Sequence, residues 1–239
     1  MDICAVVPVK RFEKAKSRLS SLLDEDQRVE LSRFLLQDTL NTLSLCSDLA
    51  KTIVVSSDPL VKEITQNLGL ECLFQLEDKG VNNAIRYADK FLSTRGNWVG
   101  LIIPCDLPLL LPKDIDGVCQ AIPKEGPCVI LCPSYKFDGT NLLTRKPFNI
   151  FSETRYDNDS FHGHLEASMQ AGANTKVLLS TRLMIDLDTP ADLQLVLSKD
   201  VPAKKSVSYL RKITKNHFSS FSALGAVKTG TKRKKNRLN

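Results

Sequence analysis

Two acidic segments far apart in the chain carry residue types suited to phosphate chemistry. Ile102-Ile103-Pro104-Cys105-Asp106-Leu107-Pro108 is an apolar run that ends on one carboxylate. Met184-Ile185-Asp186-Leu187-Asp188-Thr189-Pro190 is another that ends on two. A strand that stops in an acid delivers it to the C-terminal rim of the sheet, where open α/β sheets bind ligands. Asp186 and Asp188 stand two apart, so on a strand they share a face. One or two carboxylates completed by substrate phosphates are how proteins hold Mg²⁺. A third segment, residues 8–19, supplies Lys10, Arg11, Lys14, Lys16 and Arg18 and contains no glycine, so it is no Walker A loop. Cationic side chains at a sheet rim could compensate a triphosphate in place of backbone N–H groups. On composition alone the same run also reads as a solvated basic turn.

The elements that must position these residues follow from periodicity. Residues 3–9 read as a first strand, and Leu31, Phe34, Leu35 and Leu40 mark a helix over 28–45. Short strands are expected at 53–55 and 72–74. Between them Asp58-Pro59 opens a helix that runs to Gly69. Ala84, Ile85, Ala88, Phe91 and Leu92 mark the next helix, and 98–103 is the strand that leads to Asp106. A helix over 113–122, a strand at 128–132, a candidate partner at 141–144 and a helix from Phe161 to Gly172 come next. A last strand is expected over 183–187, and Thr189-Pro190 caps the final helix of the body. This alternation predicts an α/β fold: a mostly parallel, twisted sheet with helices on both faces.

Composition sets the frame. The 239 residues are 42% hydrophobic and 25% charged, ordinary for a soluble globular protein of one α/β domain plus an appendage. No apolar run approaches the roughly 18–20 residues that span a bilayer, and residues 1–8 lack the pattern of a signal peptide. A cytoplasmic, membrane-free protein is expected. The seven cysteines are odd in number and form no C-x-x-C, so they read as reduced, buried small hydrophobes. Charge is divided unevenly. The first 200 residues carry 22 basic and 27 acidic side chains, whereas residues 201–239 carry 11 basic and none acidic. The chain is therefore expected to divide into a body, 1–200, and a flexible basic tail, 201–239, with a short helix near 206–215. The tail reads as a solvated extension or as a dock for an acidic partner. Its few aromatics, Tyr209, Phe218 and Phe221, argue against nucleic-acid stacking.

Six segments, in order, resemble one family. They are Pro8-Val9-Lys10 with Ala15-Lys16-Ser17-Arg18-Leu19; Gly80-Val81-Asn82-Asn83-Ala84; Pro104-Cys105-Asp106-Leu107-Pro108-Leu109; Asp138-Gly139-Thr140-Asn141; Ser160-Phe161 followed by His164; and Asp186-Leu187-Asp188-Thr189-Pro190-Ala191-Asp192-Leu193. Each alone is a weak signal. Together, over residues 5–195, they are similar to the 2-phospho-L-lactate guanylyltransferases (CofC/FbiD) of coenzyme F-420 biosynthesis. The resemblance implies a GT-A-like nucleotidyltransferase fold, GTP as donor, and a phosphorylated three-carbon acid as acceptor: 2-phospho-L-lactate, phosphoenolpyruvate or 3-phospho-D-glycerate. The acceptor phosphate would attack the α-phosphorus of GTP and release pyrophosphate, so no strong general base is needed. Asp106, Asp186 and Asp188 would hold Mg²⁺. Lys10, Lys16 and Arg18 would clamp the triphosphate, with Lys10, Lys16 and Asp106 central to catalysis, and Asn82 would touch the guanosine.

Thr140, residue 157 and Ser160 would face the acceptor. The family has glycine where this chain has Asp157, and an acid beside an anionic acceptor is unfavourable unless it turns away. Asp58 reads as a helix start or a nucleotide contact, and Asp138 as a turn former. His162 and His164 diverge, so they form no metal pair, and His164 packs or makes a supporting hydrogen bond. A homodimer is an open assembly state. The alternatives are another GT-A-like nucleotidyltransferase using CTP or a sugar phosphate, and a non-catalytic nucleotide or nucleic-acid binder.

Overall fold

The apolar run Asp2–Val9 (β1) becomes an inner strand because both faces are covered: Cys4, Ala5, Val6 and Val7 have no exposed surface. Its alternate residues feed two different cores. Ile3, Ala5, Val7 and Val9 pack with Leu36, Leu40, Val54 and Ile115 on one face, and Cys4 and Val6 pack with Ile53, Ile85, Leu92 and Leu143 on the other. The computed structural model describes residues 2–200 and 204–222, with side chains through 215.

The chain then alternates as the periodicity predicts. Helix α1 (Glu25–Ser44) opens on a capping box in which Asp24 accepts from the Gln27 N–H. It is followed by β2 (Lys51–Ser56), α2 (Pro59–Asn67), β3 (Glu71–Phe74), α3 (Val81–Ser93), β4 (Trp98–Ile102), α4 (Pro112–Ala121), β5 (Cys128–Pro133) and β6 (Thr140–Lys146). The remaining elements are α5 (Ser160–Gln170), β7 (Asn174–Val177), α6 (Thr181–Met184), α7 (Pro190–Leu197) and α8 (Lys205–Ser222). The strands form one seven-stranded sheet in the order β3-β2-β1-β4-β6-β5-β7. Only β6 runs antiparallel, to both β4 and β5. The C-terminal ends of β1, β2 and β4 therefore share one rim.

One sequence expectation is corrected, and one strand is new. Residues 183–187 are not a strand: Thr181–Met184 is a single helical turn, and Asp186 and Asp188 follow on an irregular segment. That segment is anchored where the Leu187 N–H donates to the Asp106 carbonyl at 3.0 Å. The strand beside β5 is β7, whose polar sequence Asn-Thr-Lys-Val is mostly exposed and has no apolar run to betray it. The helix expected near 206–215 is present as the longer α8. Helix α8 lays Val207 and Leu210 against Leu31, Leu35, Leu193 and Val196. Its start is capped from α1, where the buried Asp38 carboxylate accepts from the Ser206 N–H (2.8 Å), the Ser206 hydroxyl (2.6 Å) and the Lys205 N–H (3.2 Å). Residues 201–203 and 223–239 of the expected tail lie outside the described residues.

All seven cysteines are free, and five are buried. No helix among the described residues is long and apolar enough to cross a membrane.

Candidate active site

The rim is built around a lysine in an unusual backbone conformation. After β1 the chain makes two short 3-10 turns, Phe12–Lys14 and Ser17–Leu19, and Lys16 between them has φ 53° and ψ 31°. The left-handed region costs a non-glycine residue free energy and persists only where the surroundings enforce it. Here Asp58 pins the loop, accepting from the Phe12 N–H at 2.8 Å and the Leu60 N–H at 2.9 Å. Both Asp58 oxygens are thus engaged as a helix cap and loop anchor.

The conformation turns the Lys16 side chain inward, leaving 7% of it exposed. Its Nζ donates at 2.8 Å to Asp106 Oδ2 and at 2.8 Å to Asp188 Oδ1. Residues 90 and 172 positions away thereby meet on one ammonium. Burial disfavours the charge on Lys16, but Asp106 and Asp188 outweigh it and hold the group above its ordinary range. Asp188 in turn is held low against the cost of its burial, chiefly by Lys16. Arg18 stands 3.9 Å from Asp188 and is 74% exposed, so its guanidinium is free to face a ligand.

Asp186 is placed differently. Burial and the neighbouring charges of Asp106 and Asp188 push its carboxyl up to about 6. Asn141 at the start of β6 ties the segment in place, donating to the Leu183 carbonyl at 2.9 Å and lying 3.5 Å from Asp186 Oδ1. Among the described residues no three His, Cys, Asp or Glu side chains stand at the spacing of a ready-made metal site. Asp106 and Asp188 are bridged by Lys16 instead. The donor set nevertheless suits Mg²⁺ completed by substrate oxygens: Asp106 Oδ1 is buried without a hydrogen-bond partner among the described residues, and Asp186 stands close enough to Asp106 and Asp188 for their charges to disfavour its own.

Lys16, Asp106 and Asp186 line a cleft of about 280 Å³, which also touches Lys10, Thr140, Tyr156 and Ser160. A second cavity of about 220 Å³ lies over the ends of β1 and β2, between Pro8, Ser57, Gln75, Asp78 and Val81. Lys10 and Val81 border both. The Ser57 hydroxyl is buried and unpartnered on the wall of that second cavity.

Thr140 and Ser160 bring neutral groups to the same cleft. The Thr140 N–H donates to Ser160 Oγ at 2.8 Å, and Thr140 Oγ1 lies 3.0 Å from His164 Nδ1. Asn82 does not point into either cavity as a free nucleotide contact. Its carbonyl oxygen accepts from the Tyr156 N–H (2.8 Å) and the Thr154 hydroxyl (3.0 Å), and its amide donates to Asp157 Oδ2 at 3.2 Å. Asn82 therefore fastens the 154–157 loop to the start of α3. The same bond draws the exposed Asp157 carboxylate toward Asn82. Asp138 accepts from the Ser134 hydroxyl at 2.7 Å, as expected of a turn former.

Of the sequence candidates, Lys10, Lys16, Asp106, Asp186, Thr140 and Ser160 share the main cleft, and Asp188 and Arg18 border its neighbour beside Asp186. Asn141, His164 and Ser57 were not singled out as site residues. The first two lie inside the matching motifs, which was their only signal, and Ser57 carries none.

Comparison with known proteins agrees with this architecture. The family described as guanylyl transferase CofC like matches residues 3–228. A phosphoenolpyruvate guanylyltransferase from Rubrobacter xylanophilus is 34% identical, covering 81% of this chain and 92% of that protein. A 2-phospho-L-lactate guanylyltransferase from Methanobrevibacter smithii is 30% identical over 80% of this chain and 82% of its own. Among solved structures, a candidate nucleotide-diphospho-sugar transferase from Desulfovibrio desulfuricans superposes with a TM-score of 0.74 at 16% identity, covering 92% of this chain and 99% of the other; it speaks for the fold alone. A buried lysine between two acids, a two-cavity cleft at the rim of a nucleotidyltransferase sheet and the match along most of the chain lead to one conclusion: this chain is an enzyme of the guanylyl transferase CofC-like family.

Proposed function

We propose that the enzyme transfers GMP from GTP to a small carboxylic acid bearing a phosphate, with release of pyrophosphate. Phosphoenolpyruvate, 2-phospho-L-lactate and 3-phospho-D-glycerate are the acceptors of this class, and the reaction belongs to coenzyme F-420 biosynthesis. The observation that carries this reading is one cleft that joins a charged cluster, Lys16 with Asp106 and Asp186 and with Asp188 just outside it, to neutral groups, Thr140 with Ser160.

Each wall suits one substrate. Guanine fits the cavity beside Ser57, whose unpartnered hydroxyl offers a hydrogen bond to a purine edge. Lys10, which borders both cavities, and the exposed Arg18 supply positive charge along the triphosphate between them. Asp106 and Asp186 would hold Mg²⁺ together with phosphate oxygens; bound there, the ion would neutralise charge on the transferred group. Lys16 holds Asp106 and Asp188 close together and favours the ionised form of Asp188. The hydroxyls of Thr140 and Ser160, with the N-terminal turn of α5, suit the acceptor's phosphate or carboxylate. The acceptor phosphate is already an ionised nucleophile, so the protein's work is alignment and charge compensation.

The test is pyrophosphate release with GTP and Mg²⁺ across the three acceptors, followed by ATP, CTP and UTP with the best of them. Turnover with GTP and at least one phosphorylated acid is expected. Turnover only with a sugar phosphate, or a preference for CTP, would overturn the reading.

A further inference from the structure

His164 is fully buried on α5, and none of the steps above uses it. Its ring bridges two backbone regions. Nε2 lies 2.8 Å from the backbone nitrogen of Arg155, and Nδ1 lies 3.0 Å from Thr140 Oγ1. A backbone N–H only donates, so Nε2 must accept and carries no proton. Burial and the charges of Arg145 and Arg155 pull the ring's pKa down to about 3, so it is neutral at working pH. A neutral imidazole keeps one proton, and that proton is left to Nδ1. The Ser160 carbonyl, one helical turn earlier, also faces the ring and favours a proton on it.

A protonated Nδ1 has no lone pair to offer. The Thr140 hydroxyl must therefore accept from it, and its own proton must point elsewhere. Thr140 lines the cleft. Ser160 Oγ is in the same position, because the Thr140 N–H occupies one of its lone pairs. Both hydroxyls thus have an acceptor site filled from the buried side and a proton left for the cleft. With the proton on Nε2 instead, Thr140 would donate to Nδ1 and present lone pairs to an anion.

We propose that His164 is a positioning residue: through its fixed tautomer it makes Thr140 a hydrogen-bond donor toward the anionic acceptor. The proposal rests on the reading that Thr140 and Ser160 hold that acceptor.

The first experiment needs no change at His164. Long-range proton–nitrogen NMR of the full chain reads the tautomer, with His164 assigned by removing the other two histidine signals (His162→Gln, His217→Gln). An Nδ1–H ring that does not titrate between pH 8 and 5.5 is expected. An Nε2–H ring, or a charged one, overturns the proposal.

The second experiment is kinetic. His164→Gln keeps an acceptor for Arg155 but offers Thr140 no donor, whereas His164→Asn keeps the donor to Thr140. The Gln variant should raise the KM for the acceptor about tenfold, with the KM for GTP within about twofold, and the Asn variant should restore most of the loss. In a Thr140→Val background, His164→Gln should add less than about twofold. Equal losses in the Gln and Asn variants, or a full added loss on top of Thr140→Val, would overturn the proposal. An unchanged acceptor KM in Thr140→Val alone would remove the reading of the site, and the proposal with it. A loss in that variant combined with an Nε2–H ring would remove the proposal alone.

Discussion

The two walls of the cleft handle negative charge by opposite means. On the donor side, formal charges oppose one another: Lys16 sits between Asp106 and Asp188, and Asp186 is left under strain. On the acceptor side the groups that line the cleft, Thr140 and Ser160, are neutral. Thr140, Ser160, His164 and Asn82 are linked by hydrogen bonds whose directions are set by backbone N–H groups. Charge is strong and adaptable, and suits a triphosphate that arrives with a cation and leaves in pieces. Oriented dipoles are weaker but need no counter-ion, and they recognise shape as well as charge. The difference teaches that removing a donor-wall residue should act on turnover, and removing an acceptor-wall residue on acceptor affinity.

That division can be broken most directly at Asp106. Asp106→Asn should cut kcat by about a thousandfold or more, with the fold kept by circular dichroism. A rate near that of the unmodified enzyme would end the idea of a charged wall. Asp186→Asn should also abolish most turnover, yet stabilise the Mg²⁺-free protein by about 1–2 kcal/mol at pH 7.5. The sign follows from the shift: the folded carboxyl sits near 6 against an ordinary 3.8, so it favours the folded state only while protonated. The penalty is absent below about pH 4, grows as pH rises and is complete above about pH 6. Chemical denaturation of both proteins across that range measures it, and a gap independent of pH would refute it.

Helix α8 sharpens the comparison because its described residues pack on the donor side, against α1 and α7. Truncation after Asp200 should lower Tm by about 5 °C or more and raise the KM for GTP several-fold, leaving the acceptor KM within about twofold. Truncation after Ser222 should change neither. On the other wall, Asn82→Ala frees the 154–157 loop and should raise the acceptor KM by about five- to tenfold without altering the KM for GTP. The smallest effect is expected at Asp157. Its exposed carboxylate is solvent-screened and drawn to Asn82, so Asp157→Gly should move the acceptor KM by less than about threefold. A larger gain would mean that the carboxylate repels the acceptor after all.

The sequence by itself determined the alternation of strands and helices, because apolar period and capping residues are local signals. Asp58 and Thr189 cap their helices as read. It also determined which segments meet, since their motifs are ones that a family of enzymes shares. Only the tertiary structure decided what those residues do once together. Lys16 reads as a clamp for the triphosphate, and the structure adds that its left-handed backbone and two distant acids turn it inward. Asn82 reads as a nucleotide contact, and the structure adds that its amide ties down the 154–157 loop. The edge strand β7 and the docking of α8 were invisible for the same reason. Their stability comes from partners far along the chain, the β5 backbone for one and the Asp38 carboxylate for the other, and no local pattern encodes a partner.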